Sequence, residues 1–386
     1  MLQNGKSPSA ILIAGAGIGG LATALALQQR GIPAIVCERA PELREVGAGL
    51  LLSPNAVRVL QLFGIFEDAV SRSRVINEWQ ILNPHGRPLH RLRPTNRDQL
   101  PALSLHRGDL QNLLRSHLCA SSTKLGVEVS DFSETPESVQ LTSTGGEQLE
   151  GPALVAADGL RSRVHHITEG GDHLRDCGYS GWRSVVPFIP KGYEGDSLSE
   201  SWGEGKRFGI SPLGDGRCYW YATANHPAGL AASPSSRKQE LHKLFGHWHA
   251  PIPELIAATE NDQILLNPIF DRPARMKATG ASRVTLLGDA AHPMTPNLGQ
   301  GACAALEDAW ILAREIAAAP NVIDGLRRYE TLRSARVKWI SRASHALGTV
   351  IQLENPYATS VRDFILRLTP GFLSTTTMRP LFSFRG

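Results

Sequence analysis

The chain has 386 residues, 42% of them hydrophobic, with a formal net charge of +4, enough to bury a large core as two interwoven domains. The charge is mild and the arginines are scattered, which argues against nucleic acid as a partner. Five cysteines stand far apart, odd in number and without a CxxC pair, so no disulfide framework and no metal site is expected, and a reducing compartment suits the chain.

The residues ahead of the first strand lack the apolar run of a secretory signal, and no stretch is long enough to span a bilayer. The cytoplasm is the expected location. Ala10–Ala14 is continuously apolar, as expected of a buried parallel strand. Gly15, Gly17 and Gly19 follow at once, helical periodicity begins at Leu21, Leu25 and Leu27, and Gly31 stops it. Strand Ala34–Cys37 then ends in Glu38. Gly15 permits the tight turn, Gly17 lets backbone approach a pyrophosphate, and Gly19 allows close packing of the helix. An acid placed like Glu38 accepts hydrogen bonds from an adenosine ribose. This order predicts a dinucleotide site without choosing the dinucleotide.

Arg39 and Arg44 come next, then Val46-Gly47-Ala48-Gly49 leads into another strand, and a helix starts near Pro54-Asn55. A strand is expected at Glu78–Leu82 and a helix at Asp109–Cys119, followed by a small β layer. Ala156-Ala157-Asp158-Gly159 precedes Arg161-Ser162-Arg163, and the pair His165-His166 is expected on a helix surface. Gly178–Phe188, Ser199–Ile210 and Arg217–Ala224 read as strands rich in Trp, Tyr and Val, with a hairpin turn at Pro212–Gly216. Pro227–Arg237 reads as a polar, small-residue loop.

Late in the chain, strand Val284–Leu287 runs into Gly288-Asp289, a Pro-rich turn, and Gly299-Gln300-Gly301 at the start of a helix. The free N–H groups and positive dipole end there favour a ligand carrying negative charge. Glu307-Asp308 in its first turns is either dipole-stabilised or lowers the positive potential of the site. From about Leu326 the chain reads as helices. Val361–Leu368 is amphipathic, with Phe364, Ile365 and Leu368 opposite Arg362 and Arg367; packing of that apolar face on the protein is expected over membrane contact. No GxSxG elbow, no HExxH helix and no second strand–GxGxxG–helix unit occurs.

Taken together, GAGIGG at 15–20, the Asp158-Gly159 motif and Gly288-Asp289 with PNLGQG resemble the single-component FAD-dependent aromatic monooxygenases of the para-hydroxybenzoate hydroxylase type. Gly181-Trp182-Arg183, WGEGKR at 202–207 and MTPNLGQGA resemble the branch with urate, salicylate and alkylquinolone hydroxylases and zeaxanthin epoxidases. The resemblance implies an α/β fold: a discontinuous Rossmann-like FAD-binding domain (1–76, 102–173, 274–345), a β-sheet substrate domain (77–101, 174–273) and a C-terminal helical segment (346–386).

It also implies FAD as cofactor, with Gly15, Gly17, Ile18, Gly19, Glu38, Arg39, Arg107, Val129, Asp158, Asp289, Leu298, Gly299, Gln300, Gly301 and Ala302 around it. NADH or NADPH would reduce the flavin, O2 would form a flavin C4a-hydroperoxide, and a small aromatic or heteroaromatic substrate would be hydroxylated. Pro293 would lie at the reactive edge of the ring. Arg207 would orient an anionic substrate, and His292 is a candidate proton shuttle. Trp182, Arg183, Tyr219 and Tyr221 are candidate substrate contacts. Alternatives are an epoxidase acting on an isoprenoid or polyene and a non-catalytic flavoprotein sensor. A monomer or homodimer fits equally.

Overall fold

Strand Ile11–Ala14 is buried at every position and forms the middle of a five-stranded parallel sheet. Its neighbours are Leu154–Ala156 and Ala34–Glu38, with Val284–Leu286 and Thr123–Leu125 outside them. Two glycines set the packing around this sheet. Gly15 has a φ of +95°, and a Cβ there would stand 2.6 Å from the Ala157 carbonyl oxygen. A Cβ on Gly19 would stand 2.8 Å from a Leu287 methyl, so only glycine lets helix Ile18–Gln28 lie this close to strand and to helix Gly301–Ala318. The computed structural model describes residues 10–43, 48–93, 100–225, 233–274, 276 and 281–386. Residues 1–9, Arg44, Val46-Gly47 and positions 227–232 of the polar loop lie outside the described residues.

A second, seven-stranded sheet holds Leu265–Asp271, Arg175–Val186, Cys218–Asn225, Lys206–Pro212, Ser197–Trp202, Glu78–Leu82 and Pro88–Leu92 in that order. Period-two alternation gives it two different faces. Trp182, Phe208 and Trp220 point to one face, where Phe245, Trp248 and Ile252 complete a hydrophobic core. The strand expected over Ser199–Ile210 is two strands. The turn at Gly203-Glu204-Gly205 breaks it, and Gly205 takes a φ of +60° that glycine adopts without strain.

The opposite face meets a three-stranded sheet of Gly49–Leu52, Ala102–His106 and Arg74–Ile76. Contact is close: Ser104 Oγ lies 2.7 Å from Ser211 Oγ, and the Tyr219 ring covers Gly49, where any Cβ would clash. Val129–Glu134, Val139–Ser143 and Gln148–Gly151 form the small antiparallel layer. His165 and His166 both fall on helix Arg163–Glu169, but only His166 is on the surface; His165 is buried.

Helix Val322–Ile351 braces strand Val284–Leu286. Tyr329 OH donates to Leu286 O at 3.2 Å, and Thr285 Oγ1 donates to Glu330 Oε1 at 2.7 Å. Burial raises the Glu330 pKa from 4.5 to about 7, against the Thr285 hydrogen bond and the Arg327 charge. A carboxyl raised in this way contributes stability that is complete below 4.5 and lost as pH rises through about 7. Glu330→Gln is therefore expected to leave stability near about pH 5 unchanged and to add about 2 kcal/mol near about pH 8. Urea unfolding at the two pH values checks this; equal effects at both contradict it.

Helix Pro356–Leu368 sits on the seven-stranded sheet the other way round from expectation. Arg362 and Thr359 are buried, whereas Phe364, Ile365 and Leu368 face outward. The Arg362 guanidinium donates to Gly203 O at 3.3 Å and Ile351 O at 3.2 Å, and lies over the Trp202 ring. Those partners favour burying the arginine. Among the described residues, no helix is long and apolar enough to cross a membrane.

Candidate active site

At one end of the parallel sheet, Glu38 closes the glycine turn. Ala16 N donates to its Oε2 at 2.7 Å, and Ala40 N to its Oε1 at 3.0 Å. Gln111 Nε2 donates to Ala16 O at 2.7 Å and steadies the same turn. A Cβ built on Gly17 meets no atom within 4 Å, so the turn backbone faces open space. Arg39 is exposed beside it. Val129 starts its strand at the same edge, where Val127 N donates to Glu38 O at 2.9 Å.

Asp158 reaches the other side of the turn, against Gly15. Its Oδ2 accepts from Arg163 N at 2.8 Å and Val164 N at 3.4 Å, capping helix Arg163–Glu169. Burial raises its pKa despite these bonds and that from Ser162, and its Oδ1 is buried without a partner. Its carboxylate thus holds its own helix with one oxygen and leaves the other without a partner.

The late loop is built as firmly. Gly288 takes a φ of +59°, and its N–H donates to Asp308 Oδ2 at 3.1 Å. Buried Arg272 donates to Asp289 O at 3.2 Å and Ala290 O at 2.8 Å, while Pro293 O accepts from Arg272 N at 3.3 Å. Asp289 itself is exposed, with Oδ1 3.8 Å from where a Cβ on Gly301 would stand. Gly299 has a φ of +62° and nothing within 4 Å of a Cβ position, so it also fronts open space. Leu298 and Ala302 are half-buried on either side. The Gln300 side chain points inward, accepting from Asn55 Nδ2 at 3.0 Å and donating to Ser53 Oγ at 3.1 Å, which leaves only its backbone to the loop.

Arg107 is exposed. Loss of hydration around its guanidinium lowers its pKa, with Asp289 opposing and Arg183 reinforcing that shift. Arg107, Asp289 and Arg183, distant in sequence, are therefore near enough to act on one another electrostatically.

Below the loop lies a buried ionic cluster. Arg333 donates to Glu307 Oε2 at 2.7 Å and Asp308 Oδ1 at 2.6 Å. Arg336 donates to both oxygens of Glu307, and His292 Nε2 pairs with Asp308 Oδ2 at 2.5 Å. Burial disfavours the Asp308 carboxylate, but His292 and Arg333 hold its pKa down at about 2. Glu307 and Asp308 are thus neutralised by these partners and do not set the potential of the cleft. His292 has no solvent-accessible surface. It props the Gly288-Asp289 turn from behind, a geometry that does not present it to a substrate.

The outer wall comes from the second sheet. Arg207, Tyr219, Tyr221 and Arg183 share its inner face by register. Trp182 does not; it lies in the opposite core, so its assignment as a substrate contact is corrected. Tyr221 lies over Gly209, and its ring centroid is 5.5 Å from that of Tyr219. Arg183 Nη2 donates to Asn267 Oδ1 at 2.9 Å.

Arg207 is 1% exposed. Its Nη2 donates to Asn297 Oδ1 at 3.1 Å, its Nη1 lies 3.5 Å from Glu200 Oε1, and its guanidinium is 5.6 Å from the Tyr221 ring centroid. Burial lowers its pKa, but Glu200 and the neighbouring tyrosines more than compensate. Glu200 also accepts from Tyr221 OH and, at 2.8 Å, from Trp202 Nε1. Asn297 in turn donates to Tyr179 OH at 3.1 Å and Ser344 O at 3.0 Å. Glu200, Asn297 and Tyr179 were not anticipated from sequence. An acid two residues before Trp202 in an otherwise buried strand was the available signal for Glu200.

A family model described as an FAD binding domain matches residues 9–344. The chain belongs to this family. Its place is among the FAD-dependent aromatic hydroxylases and related monooxygenases, in agreement with the resemblance carried by its motifs. Aurachin C monooxygenase/isomerase of Stigmatella aurantiaca is 38% identical over 368 residues, covering 94% of this chain and 95% of that protein. Chloroplastic zeaxanthin epoxidase of Solanum lycopersicum is 33% identical over 85% of this chain but only 52% of its own length. Klebsiella pneumoniae HpxO, solved with FAD and uric acid, superposes with a TM-score of 0.90 at 28% identity, covering 97% of this chain and 96% of that one. The FAD of this family suits the residues present: open backbone at Gly17 and Gly299, a free oxygen on Asp158 and an exposed carboxylate on Asp289.

Proposed function

We propose that this enzyme hydroxylates a neutral aromatic or heteroaromatic small molecule, taking electrons from NADH or NADPH and one oxygen atom from O2. Bound FAD would supply the redox chemistry; the chain's residues hold it and position the substrate. Glu38, Arg39 and Val129 would hold the adenosine end. Gly15, Gly17, Ile18, Gly19, Asp158 and Arg107 would hold the middle, and Asp289, Pro293 and Leu298–Ala302 the ring. The domain division follows from this: 1–76, 102–173 and 274–345 carry the cofactor, and 77–101 with 174–273 carry the substrate wall.

The observation behind a neutral substrate is the Arg207–Glu200 pair. An anion placed against Arg207 would also lie beside a buried carboxylate, which repels it. A ring with hydrogen-bonding heteroatoms and no charge at that end suits Tyr221 and Tyr219 better, stacking on the phenols. This replaces the expectation that Arg207 orients an anion.

The test follows NADH and NADPH oxidation by the purified yellow protein against matched ring compounds with and without a carboxylate. Stimulation by the neutral members, with hydroxylated product, is expected. Stimulation confined to carboxylates contradicts the neutral-substrate reading, oxirane products point to the epoxidase, and flavin without any pyridine-nucleotide reaction points to a sensor.

A further inference from the structure

Strands Arg175–Val186 and Leu265–Asp271 pair so that Arg175 stands opposite Asp271. Cys177, two residues on, shares their face of the sheet, because side chains alternate along a strand. Helix Val322–Ile351 brings His345 against the same spot. Cys177, Asp271 and His345 each offer one ligand atom there, and the three atoms all lie within 4.8 Å of one another. Thiolate, imidazole and carboxylate around one tetrahedral ion stand roughly 3.3–3.7 Å apart, so modest side-chain movement closes the set. The three ligands come from separate segments, which is why the cysteine spacing predicted no metal site.

Arg175 holds this place in the structure. Its Nε and Nη2 donate to the two oxygens of Asp271, both at 2.8 Å. Its Nη2 also lies 3.1 Å from His345 Nδ1, and that nitrogen lies 3.1 Å from Asp271 Oδ2. One ring nitrogen cannot accept from a guanidinium and donate to a carboxylate at once, so either tautomer leaves one contact unsatisfied. Protonating the ring would set a second cation against Arg175. A divalent cation removes the conflict, because the Nδ1 lone pair, the carboxylate and a thiolate then face one positive centre. Charge balances as well: Asp271 with Arg175 sums to zero, and so do Asp271, a Cys177 thiolate and a doubly charged ion. Burial and Asp271 push the Cys177 thiol up to about 12, so uptake of the ion releases the thiol proton to solvent. Arg175 is free to leave, with 48% of its side chain exposed, whereas Asp271 is enclosed at 1% and stays.

We infer that Cys177, Asp271 and His345 bind a zinc-class divalent cation in place of Arg175. Sulfur and imidazole ligands select zinc or cobalt(II) over magnesium and calcium, which take oxygen. Cys177 and His345 are only half-buried, so water completes the tetrahedron. The ion would clasp the two elements that anchor the late loop. Arg272, next to Asp271, holds Asp289 O and Ala290 O, and Ser344, next to His345, donates to Thr295 O at 2.7 Å. The inference goes beyond the proposed reaction and does not depend on the identity of the substrate.

Titration of untagged, full-length, flavin-loaded protein with Co2+, after reduction and treatment with EDTA, tests it. Wild type is expected to take up one equivalent with d–d absorption in the red, beyond the flavin bands, and to lose that signal to Zn2+ but not to Mg2+. Cys177→Ser and His345→Ala are expected to weaken binding by more than about 100-fold. Arg175→Ala is expected to tighten it by about tenfold or more, since the charged hydrogen bonds that compete with the ion are gone. Retained FAD and an unchanged circular dichroism spectrum verify folding; if one variant fails to fold, wild type and the others still decide. The inference is overturned if wild type shows no red absorption in excess Co2+, or if Cys177→Ser binds Co2+ as wild type does. It is also overturned if Arg175→Ala binds no more tightly than wild type.

Discussion

Arg207→Gln is expected to retain FAD and to go on oxidising NAD(P)H, while hydroxylated product per NAD(P)H falls by about 100-fold. The guanidinium bridges Glu200 on one strand to Asn297 in the late loop. Its loss removes the guanidinium beside the Tyr221 ring and leaves Glu200 as the ionic partner of Tyr221, so the ring proposed to stack the substrate gains freedom. A substrate displaced by about 1 Å from its reactive geometry loses rate on this scale. The buried Glu200 also keeps fewer partners, so flavin content and melting must be read alongside product yield. Glu200→Gln offers the complementary change. It keeps a side chain able to bond Trp202 and Tyr221, removes the negative charge, and is expected to improve binding of carboxylated ring compounds. Unchanged coupling in Arg207→Gln would take Arg207 out of the mechanism.

Arg333→Met is expected to cost about 3–5 kcal/mol of folding stability and to release FAD. Arg333 is fully enclosed and is a shared partner of Glu307 and Asp308, both without accessible surface. Its removal leaves two buried carboxylates to Arg336, His292, Asn55 and the Gly288 N–H. Asp308 in turn holds the Gly288 N–H and, through His292, the turn that presents Asp289. Damage at Arg333 should therefore reach the cofactor without any direct contact to it. Urea unfolding with flavin fluorescence as a second readout measures both effects. Arg336→Met, at a partly exposed residue, provides the milder comparison, and equal midpoints for wild type and Arg333→Met would contradict the account.

The parts of this site that were legible in the sequence are those where backbone geometry restricts the residue. Gly15 needs its positive φ, Gly19 needs its missing Cβ, and Gly288-Asp289 with Gly299 needs two left-handed glycines, all within short local spans. Trp182 and Arg183 were both expected to contact substrate, yet adjacent strand residues face opposite sides of a sheet, and Trp182 fell on the far side. The Glu200–Arg207 pair depends on the turn at Gly203–Gly205, which an uninterrupted strand reading conceals. His292 looked available because its partner Asp308 lies on a helix that folds back behind the loop. Helix Pro356–Leu368 was legible as amphipathic, yet its orientation is decided by carbonyls of Gly203 and Ile351, which periodicity does not encode.

The most direct measurement is turnover under 18O2 by enzyme that retains its own FAD, with NAD(P)H and a neutral heteroaromatic compound that stimulates its oxidation. One heavy oxygen atom in the ring product, with the other in water, is the predicted result. Product oxygen drawn from water, or heavy oxygen recovered only as hydrogen peroxide for every ring compound that stimulates oxidation, would contradict oxygen insertion at this cleft.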